Sequence, residues 1–211
     1  MLTKQEQMWS SNFGVEYNKR NDWDYKELNE VYKKYYGVER SIMNTEFLDS
    51  LPRDIRILEV GSNYGIILKS LEEMGFTNLY GVELQWDGVL TVKQRFPKYQ
   101  VLQASGLDLP FKNGYFDLVY TSGVLIHINP ENLPKFMSEM VRCSKKYIWG
   151  FEYYADKVTE IPYHNNANLM WKAPYKQIFM DGHKELKSVK EKIYPYIYEI
   201  KGEDMMYLLE K

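Results

Sequence analysis

The alternation of short apolar runs with longer amphipathic ones after residue 54 constrains the fold more than any other feature of the sequence. The short runs predict five strands, near Ile55–Val60, Leu79–Glu83, Tyr99–Gln103, Phe116–Thr121 and Tyr147–Phe151. The runs between them predict three helices, around Gly65–Met74, Trp86–Phe96 and Pro130–Cys143. Because helices that cross between successive strands make those strands parallel and cover both faces, we expect an α/β protein with a mostly parallel sheet.

The segments on either side of this alternation have different patterns. Up to residue 52, apolar residues recur at three- and four-residue steps, which predicts two helices. Gly37 separates them, and Pro52 ends the second. After residue 151, a helix is predicted over Trp171–Met180. Two β runs, Ile193–Ile200 and Met205–Leu209, flank the turn from Lys201 to Asp204 and predict a C-terminal hairpin.

Charge and composition exclude several classes of protein. Lys and Arg total 27 against 29 Asp and Glu, a net charge of −2, which disfavours nucleic acid as a partner. The single cysteine, Cys143, cannot form an intramolecular disulfide, and no N-terminal stretch resembles a secretion signal, so we expect a cytoplasmic protein. No apolar run reaches the roughly 18 residues of a membrane span. No cluster of His, Cys, Asp and Glu has metal-ligand spacing, so no metal is expected.

A glycine-containing segment, L-E-V-G-S-N-Y-G at Leu58–Gly65, connects the first strand to the first helix of the alternation. Glycines at such a turn let the backbone approach a ligand, and the helix behind them offers free N–H groups. Glu83 ends the next strand, where a carboxylate can accept two hydrogen bonds from a ribose diol. The sequence therefore predicts a nucleotide-like ligand.

Two common nucleotide motifs do not fit this segment. A dinucleotide site requires G-x-G-x-x-G/A, and here Asn63 and Ile66 stand at the second and third small positions, which disfavours NAD and FAD. The phosphate-binding pattern G-x-x-x-x-G-K-[ST] does not occur in the chain, so a Walker-type phosphate loop is excluded.

The remaining pattern resembles the class I S-adenosylmethionine-dependent methyltransferases, in which an acid precedes the glycine loop and another ends the second strand. The resemblance continues in order through Ala104–Phe111, Phe116–Tyr120 and Val124–Ile128. It implies a Rossmann-like, mostly parallel seven-stranded sheet with helices on both faces, an N-terminal helical cap and a C-terminal β-hairpin. The single domain would comprise a cap (1–52), a cofactor-binding core (53–151), and an acceptor-side segment with the hairpin (152–211).

The same resemblance implies which residues bind S-adenosylmethionine and release S-adenosylhomocysteine. Glu59 would organise the methionine amino group, Glu83 would hold the ribose, and Ser105 would face the adenine. The full set of implied cofactor-binding residues is Tyr17, Arg20, Glu59, Gly61, Ser62, Asn63, Gly65, Glu83, Leu84, Ser105, Gly106, Leu107 and Ser122. Two of them depart from the pattern, since Asn63 replaces the usual middle glycine and Ser105 stands where many relatives have Asp.

The flanks resemble a narrower group, the pseudaminic acid biosynthesis-associated methylases. The opening W-x-x-x-F-G-x-x-Y-x-x-R-N runs from Trp9 to Asn21, and an E-Y-Y…P-Y…W-K pattern runs from Glu152 to Lys172. The resemblance implies methyl transfer to a small molecule, a sugar or nucleotide-linked sugar of surface-glycan biosynthesis. The chain departs from that group after Lys172.

Catalytic and acceptor-binding candidates follow the fourth and fifth strands, at the edge where open α/β sheets bind ligands. His127 is a candidate general base, or else a histidine that ties down its loop. Glu152 could bind an acceptor amine or hydroxyl, or orient the loop beside it. Aromatic residues that could line the acceptor pocket are Tyr153, Tyr154, Tyr163 and His164.

The sequence is also compatible with other functions. The acceptor could be another small metabolite or an RNA base, and the methyl group could go to oxygen or nitrogen. A protein that binds S-adenosylmethionine without catalysis, as a regulator, is the alternative from a different class. Either a monomer or a homodimer is compatible with the sequence.

Overall fold

A computed structural model describes residues 2–163, 167–198 and 202–211. Within this described part, nine strands occur: β1 (Arg56–Val60), β2 (Asn78–Glu83), β3 (Gln100–Gln103), β4 (Phe116–Ser122), β5 (Ser144–Tyr153), β6 (Thr159–Glu160), β7 (Trp171–Lys172), β8 (Lys187–Pro195) and β9 (Glu203–Glu210). The α-helices there are α1 (Lys4–Trp9), α2 (Asn12–Arg20), α3 (Tyr25–Tyr36), α4 (Arg40–Leu48), α5 (Ile66–Glu73), α6 (Trp86–Arg95), α7 (Leu133–Cys143) and α8 (Tyr175–Gly182). A short 3₁₀ helix spans Leu125–His127.

Seven of the described strands form one sheet in the order β3-β2-β1-β4-β5-β9-β8. The five strands from β3 to β5 are parallel, and the hairpin of β8 and β9 joins the sheet through antiparallel pairing of β9 with β5. Strands β6 and β7 pair separately beside it. This topology confirms the predicted Rossmann-like α/β fold with a C-terminal hairpin.

Helices cover both faces of the sheet, which is why its central strands are largely apolar on both sides. Along β1, Ile57 packs into one core layer and Leu58 into the other. The first layer includes Phe47 of α4 and Leu68 of α5, and the second includes Phe136 of α7. A parallel strand buried on both sides lacks the alternation of a half-exposed strand, so continuous apolar runs predict it well.

Several predicted boundaries were wrong. The helix expected from Trp171 begins at Tyr175, because Pro174 disfavours helical geometry in the residue before it, and Trp171–Lys172 instead pairs with β6. Strand β8 spans Lys187–Pro195 rather than starting at Ile193, and Glu203 and Asp204 belong to β9 rather than to a turn. Residues 199–201 of the predicted hairpin lie outside the described residues.

The N-terminal segment is more divided than its periodicity indicates. It forms four helices instead of two, and α4 ends at Leu48 rather than at Pro52. The predicted break at Gly37 is confirmed, since this residue ends α3 in the left-handed conformation, with φ of 74°. No helix in the described ranges combines the length and apolarity that crossing a membrane requires.

Helices α1 and α2, with the residues that flank them, form the first part of the predicted N-terminal cap. From here on, 'the cap' means residues 3–22 only. The close packing of α2 against α1 requires glycine at position 14, because a Cβ on Gly14 would lie 1.9 Å from the Trp9 carbonyl oxygen. We expect Gly14→Ala to separate the two helices and to lower amide-exchange protection in residues 3–22 by about tenfold or more, as overpacking does. Hydrogen exchange read by mass spectrometry measures this.

The matched control for the cap is Gly182→Ala, since no atom lies within 4 Å of a Cβ built at that position. It should leave exchange in residues 3–22 unchanged. Equal protection of the cap in Gly14→Ala and the wild type would contradict a tightly packed helix pair.

Candidate active site

One cavity lies between the cap and the carboxyl ends of β1, β2 and β4. Its empty volume, including the mouth that opens to solvent, is about 970 Å³. The lining residues are Thr3, Gln5, Glu6, Trp9, Tyr17, Asn18, Val60, Gly61, Asn63, Val82, Glu83, Leu84, Gln85, Ala104, Ser105, Gly106, Leu107, Ser122, Gly123, Val124, His127, Ile128, Asn132 and Phe136.

The loop after β1 has an unusual backbone that its sequence explains. Gly61, Asn63 and Gly65 all have positive φ, of 80°, 46° and 76°. Asparagine tolerates this left-handed conformation better than most residues, so Asn63 can take the place of a glycine there. Gly61 and Asn63 line the cavity, whereas Ser62 and Gly65 lie outside its lining.

Glu83 places a buried carboxylate on the cavity wall at the end of β2. Its Oε2 accepts from the backbone N–H of Asn63 at 2.8 Å, and its Oε1 accepts from that of Gln85 at 2.9 Å. Burial raises the pKa of Glu83, and these backbone donors oppose that effect. Since each carboxylate oxygen can accept more than one hydrogen bond, Glu83 retains acceptor capacity for ligand hydroxyls.

Glu59 lies in β1 outside the cavity lining and is 2% exposed. Burial raises its pKa to about 8, with the Tyr120 side chain and the Arg40 charge acting in the opposite direction. The Arg40 guanidinium is fully buried and donates to Ser122 Oγ, which lines the cavity, at 3.1 Å. Sequence periodicity could not single out Arg40, because a lone arginine on a predicted amphipathic helix is normally solvated.

The loop after β3 lines the opposite side of the cavity through Ser105, Gly106 and Leu107. A Cβ at Gly106 would lie 2.1 Å from the Phe136 ring, so only glycine lets this backbone approach α7 so closely. The Ser105 hydroxyl accepts from Leu107 N at 3.0 Å and donates to the Glu6 carboxylate on α1. Glu6 therefore brings a carboxylate from the cap to this part of the cavity.

His127 lies on the cavity wall after β4 and is 8% exposed. Its Nδ1 is 3.0 Å from the Leu169 carbonyl oxygen, which can only accept, so Nδ1 carries the proton and Nε2 keeps its lone pair. Burial lowers the pKa of His127 to about 4. The imidazole is therefore neutral at physiological pH, and Nε2 is its unprotonated nitrogen.

Glu152, at the end of β5, lies outside the cavity lining and is 1% exposed. Its carboxylate accepts from the backbone N–H groups of Val124 at 3.2 Å and Ile126 at 3.4 Å. Burial raises its pKa to about 7. These contacts favour the loop-orienting role over acceptor binding, since they hold the segment that presents His127.

Replacing Glu152 with Gln should change how stability depends on pH. A carboxyl whose pKa rises from 4.5 to about 7 on folding favours the folded state below pH 4.5 and loses that contribution as pH rises to 7. We therefore expect the free energy of unfolding of the wild type to fall by roughly 3 kcal/mol relative to that of Glu152→Gln as the pH rises from 4.5 to 8. Urea unfolding measures it.

A gap that stays constant across that range would contradict the buried, titrating carboxyl. Glu30→Gln, on the exposed side of α3, is the control and should show the wild-type pH dependence.

Aromatic rings of the cap surround His127. The Trp9 ring centroid lies 4.4 Å from that of His127 and 5.2 Å from that of Tyr17. The Tyr163 ring centroid lies 5.4 Å from that of His127, but Tyr163 is outside the cavity lining. Burial raises the pKa of Tyr163, and a hydrogen bond with the Arg20 side chain opposes that effect. Arg20 itself is exposed and outside the cavity lining.

The other acceptor candidates lie farther from the cavity. The Tyr153 ring packs against Tyr196, and the Tyr154 hydroxyl donates to Asp156 at 2.8 Å on the exposed side. Neither tyrosine lines the cavity. His164 lies outside the described residues. In the described ranges, no group of three or more His, Cys, Asp or Glu could hold a metal ion.

Sequence reasoning missed most of the cap's contribution to the cavity. Gln5 of α1 donates to the His127 carbonyl at 3.1 Å and accepts from Asn129 N at 2.8 Å, which ties the cap to the histidine loop. Glu6 and Asn18 also line the cavity. A polar residue on a short amphipathic helix gives no signal in the sequence that would set it apart from a solvated one.

Comparisons with known proteins find methyltransferases of this fold. Residues 58–147 match a family model described as a methyltransferase domain. The fold resembles a 1,6-didemethyltoxoflavin-N1-methyltransferase from Burkholderia thailandensis, solved with 1,6-didemethyltoxoflavin and S-adenosylhomocysteine, at 14% identity and a TM-score of 0.73, over 100% of this chain and 92% of that one. No curated protein matches the chain by sequence.

Two further solved structures show the range of this fold. One is a SAM-dependent methyltransferase from Methanosarcina mazei, with 13% identity, a TM-score of 0.64, and coverage of 77% of this chain and 95% of that one. The other is the [4+2]-cyclase SpnF, with 11% identity, a TM-score of 0.62, and coverage of 81% and 79%.

The fold is that of the class I methyltransferases. The match of residues 58–147 to a methyltransferase domain, together with this fold, supports S-adenosylmethionine as the cofactor. The left-handed loop after β1 and the acceptor capacity of Glu83 fit a ligand that carries a ribose, in agreement with this cofactor.

Proposed function

We propose that this protein transfers the methyl group of S-adenosylmethionine to a small, ring-bearing acceptor that contacts His127 and the cap aromatics. One observation carries the proposal: a single cavity joins the loop after β1 and Glu83 to the neutral, buried His127. Such a cavity can hold the cofactor and an acceptor side by side.

When bound, the cofactor supplies an activated methyl group, and the residues of this chain align an acceptor with it. The cap excludes water from the reaction, which favours attack by the acceptor alone. His127 Nε2 can take the proton of an acceptor hydroxyl as the new C–O bond forms and makes that proton acidic, because Nδ1–H is already committed to the Leu169 carbonyl. Glu152 acts through the loop that it holds, as a positioning residue.

The finer proposal for the acceptor is a sugar or nucleotide-linked sugar of a pseudaminic acid-type pathway. It rests on the flanking motifs at Trp9–Asn21 and Glu152–Lys172. The rings of Trp9 and Tyr17, which line the cavity, support it, since aromatic faces pack well against the C–H surfaces of sugars. The unpaired, buried Cys143 supports a cytoplasmic location.

A second candidate is a cofactor-binding protein of the same fold that performs no methyl transfer. The resemblance to a [4+2]-cyclase favours keeping it, because the fold by itself does not determine the chemistry. Both candidates bind S-adenosylmethionine, but only the methyltransferase produces a methylated product.

The test has two stages. Calorimetry with S-adenosylmethionine and S-adenosylhomocysteine measures cofactor binding, and its absence at millimolar ligand would overturn both candidates. Methyl-labelled cofactor is then incubated with amino sugars, carboxyl sugars, nucleotide sugars, flat heterocycles and RNA oligonucleotides, and products are read by mass spectrometry. A labelled sugar supports the sugar as acceptor. Another labelled small molecule supports methyl transfer to a small acceptor but not to a sugar. Cofactor binding without any labelled product favours the non-catalytic protein.

A further inference from the structure

Two side-chain amides meet on the cavity wall with their hydrogen bonding incomplete. Asn18 of α2 is 2% exposed and Gln85, two residues after Glu83, is 7% exposed, and both line the cavity. Gln85 Nε2 donates to Asn18 Oδ1 over 3.5 Å, which is long for a hydrogen bond. Within the described part of the chain, Asn18 Nδ2 and Gln85 Oε1 are buried without a partner.

This arrangement calls for a ligand, because buried polar groups in folded proteins are nearly always hydrogen-bonded. The pair offers one free donor, Asn18 Nδ2, and one free acceptor, Gln85 Oε1. A hydroxyl group both donates and accepts, so vicinal hydroxyls can satisfy the two amides together.

The position of the pair indicates which hydroxyls these are. The backbone N–H of Gln85 donates to Glu83 Oε1 at 2.9 Å, so Gln85 is held beside the carboxylate with which it and Asn18 line the cavity. A carboxylate only accepts hydrogen bonds and leaves the hydroxyl oxygens of a diol without a donor. Asn18 Nδ2, which belongs to the cap, supplies the missing donor.

The surrounding structure holds the two amides in place. A Cβ at Gly14 would lie 2.6 Å from Gln85 Nε2, so glycine allows α2 to approach the end of β2. Just after α2, Asp22 pairs with Arg95 of α6 through both guanidinium nitrogens, which anchors this end of the cap. These contacts restrict how far Asn18 can move from Gln85.

We propose that Asn18 and Gln85 bind the ribose hydroxyls of the cofactor together with Glu83, so that the cap helix α2 forms part of the ribose site. The proposal rests on S-adenosylmethionine as the cofactor and is independent of the acceptor. It makes these amides specificity residues for a ribose with both hydroxyls.

The test is calorimetry of Asn18→Leu and Gln85→Met, which keep side-chain size and remove the amides. The ligands are S-adenosylhomocysteine and its 2′-deoxy and 3′-deoxy analogues. We expect each variant to bind S-adenosylhomocysteine about tenfold more weakly than the wild type, as for the loss of one buried hydrogen bond. With the analogue that lacks the contacted hydroxyl, wild type and variant should bind equally.

A control and a second readout keep the test decisive. Gln94→Met, on the exposed face of α6, should bind all three ligands as the wild type does. Without ligand, the double variant Asn18→Leu/Gln85→Met should unfold at or above the wild-type temperature, since it removes buried polar atoms that lack partners. If a single variant fails to fold, the double variant replaces it in the calorimetry.

Three results would overturn the proposal. Unchanged affinity for S-adenosylhomocysteine would show that the amides bind only water. Equal weakening for all three ligands would assign them to cap packing rather than to the ribose. Failure of the wild type to bind S-adenosylhomocysteine would remove the cofactor itself, and this outcome is distinguished by the wild-type titration.

Discussion

Replacing His127 with alanine is expected to lower kcat roughly 10²-fold while the Kd for S-adenosylhomocysteine changes by less than about twofold, as for loss of a general base that does not bind the cofactor. The physical reason is that Nδ1–H donates to the Leu169 carbonyl and leaves Nε2 as a free proton acceptor on the cavity wall. Steady-state kinetics with the acceptor found in the labelling screen, together with calorimetry, measures both quantities.

The pH profile separates this role from that of an ordinary surface histidine. Since burial lowers the pKa of His127 to about 4, the base stays deprotonated above that pH, and its titration should cause no loss of rate between pH 8 and 5. A His127-dependent fall in rate near pH 6.5 would contradict a desolvated imidazole.

His183→Ala is the matched histidine control, because this residue follows α8 and lies outside the cavity lining. Its kcat should equal that of the wild type. If His127→Ala also keeps wild-type kcat, then His127 only ties down its loop and the acceptor loses its proton to another group.

Replacing Glu83 with alanine should weaken S-adenosylhomocysteine binding by about 10- to 150-fold, because a hydrogen bond to a charged acceptor contributes about 1.5–3 kcal/mol. The variant also leaves the backbone N–H groups of Asn63 and Gln85 without their acceptor, which disturbs the loop after β1. Calorimetry at neutral pH measures the Kd, and circular dichroism checks the fold.

Glu30→Ala, on the exposed side of α3, controls for the loss of one negative charge and should bind as the wild type does. An unchanged Kd in Glu83→Ala would show that the carboxylate does not contact the cofactor. Equal losses in Glu83→Ala for S-adenosylhomocysteine and for its deoxy analogues would indicate that Glu83 acts only by holding the loop.

The core of the fold could be predicted from the sequence because its signals are local. Strands buried on both faces produce continuous apolar runs, so β1, β2 and β4 were found to within about one residue. The edge hairpin was placed poorly, since β8 is largely exposed and its charged sequence lacks a periodic signal. The helix expected from Trp171 failed for a different reason, because Pro174 delays its start to Tyr175 and Trp171–Lys172 pairs with β6.

Some site residues could be found from sequence, and others could not. Glu83 and the loop after β1 stand at fixed distances along the chain, so their pattern alone indicated a nucleotide-like ligand. Asn18 and Gln85 are 67 residues apart, and the short helix that carries Asn18 gives no hint that it covers the cavity. Glu152 was correctly placed at the end of a strand, but only its contacts with Val124 and Ile126 show that it holds a loop.

The sequence by itself determined the α/β class, the position of the loop after β1 and the carboxylate of Glu83, because each depends on residues that are neighbours along the chain or follow a fixed period. The tertiary structure decided which side chains face the cavity and in which protonation state. Burial makes His127 neutral with Nε2 free, and packing of the cap brings Asn18 to Gln85. Both effects depend on packing between segments distant in sequence, which desolvates His127 and positions Asn18, and no local pattern encodes them.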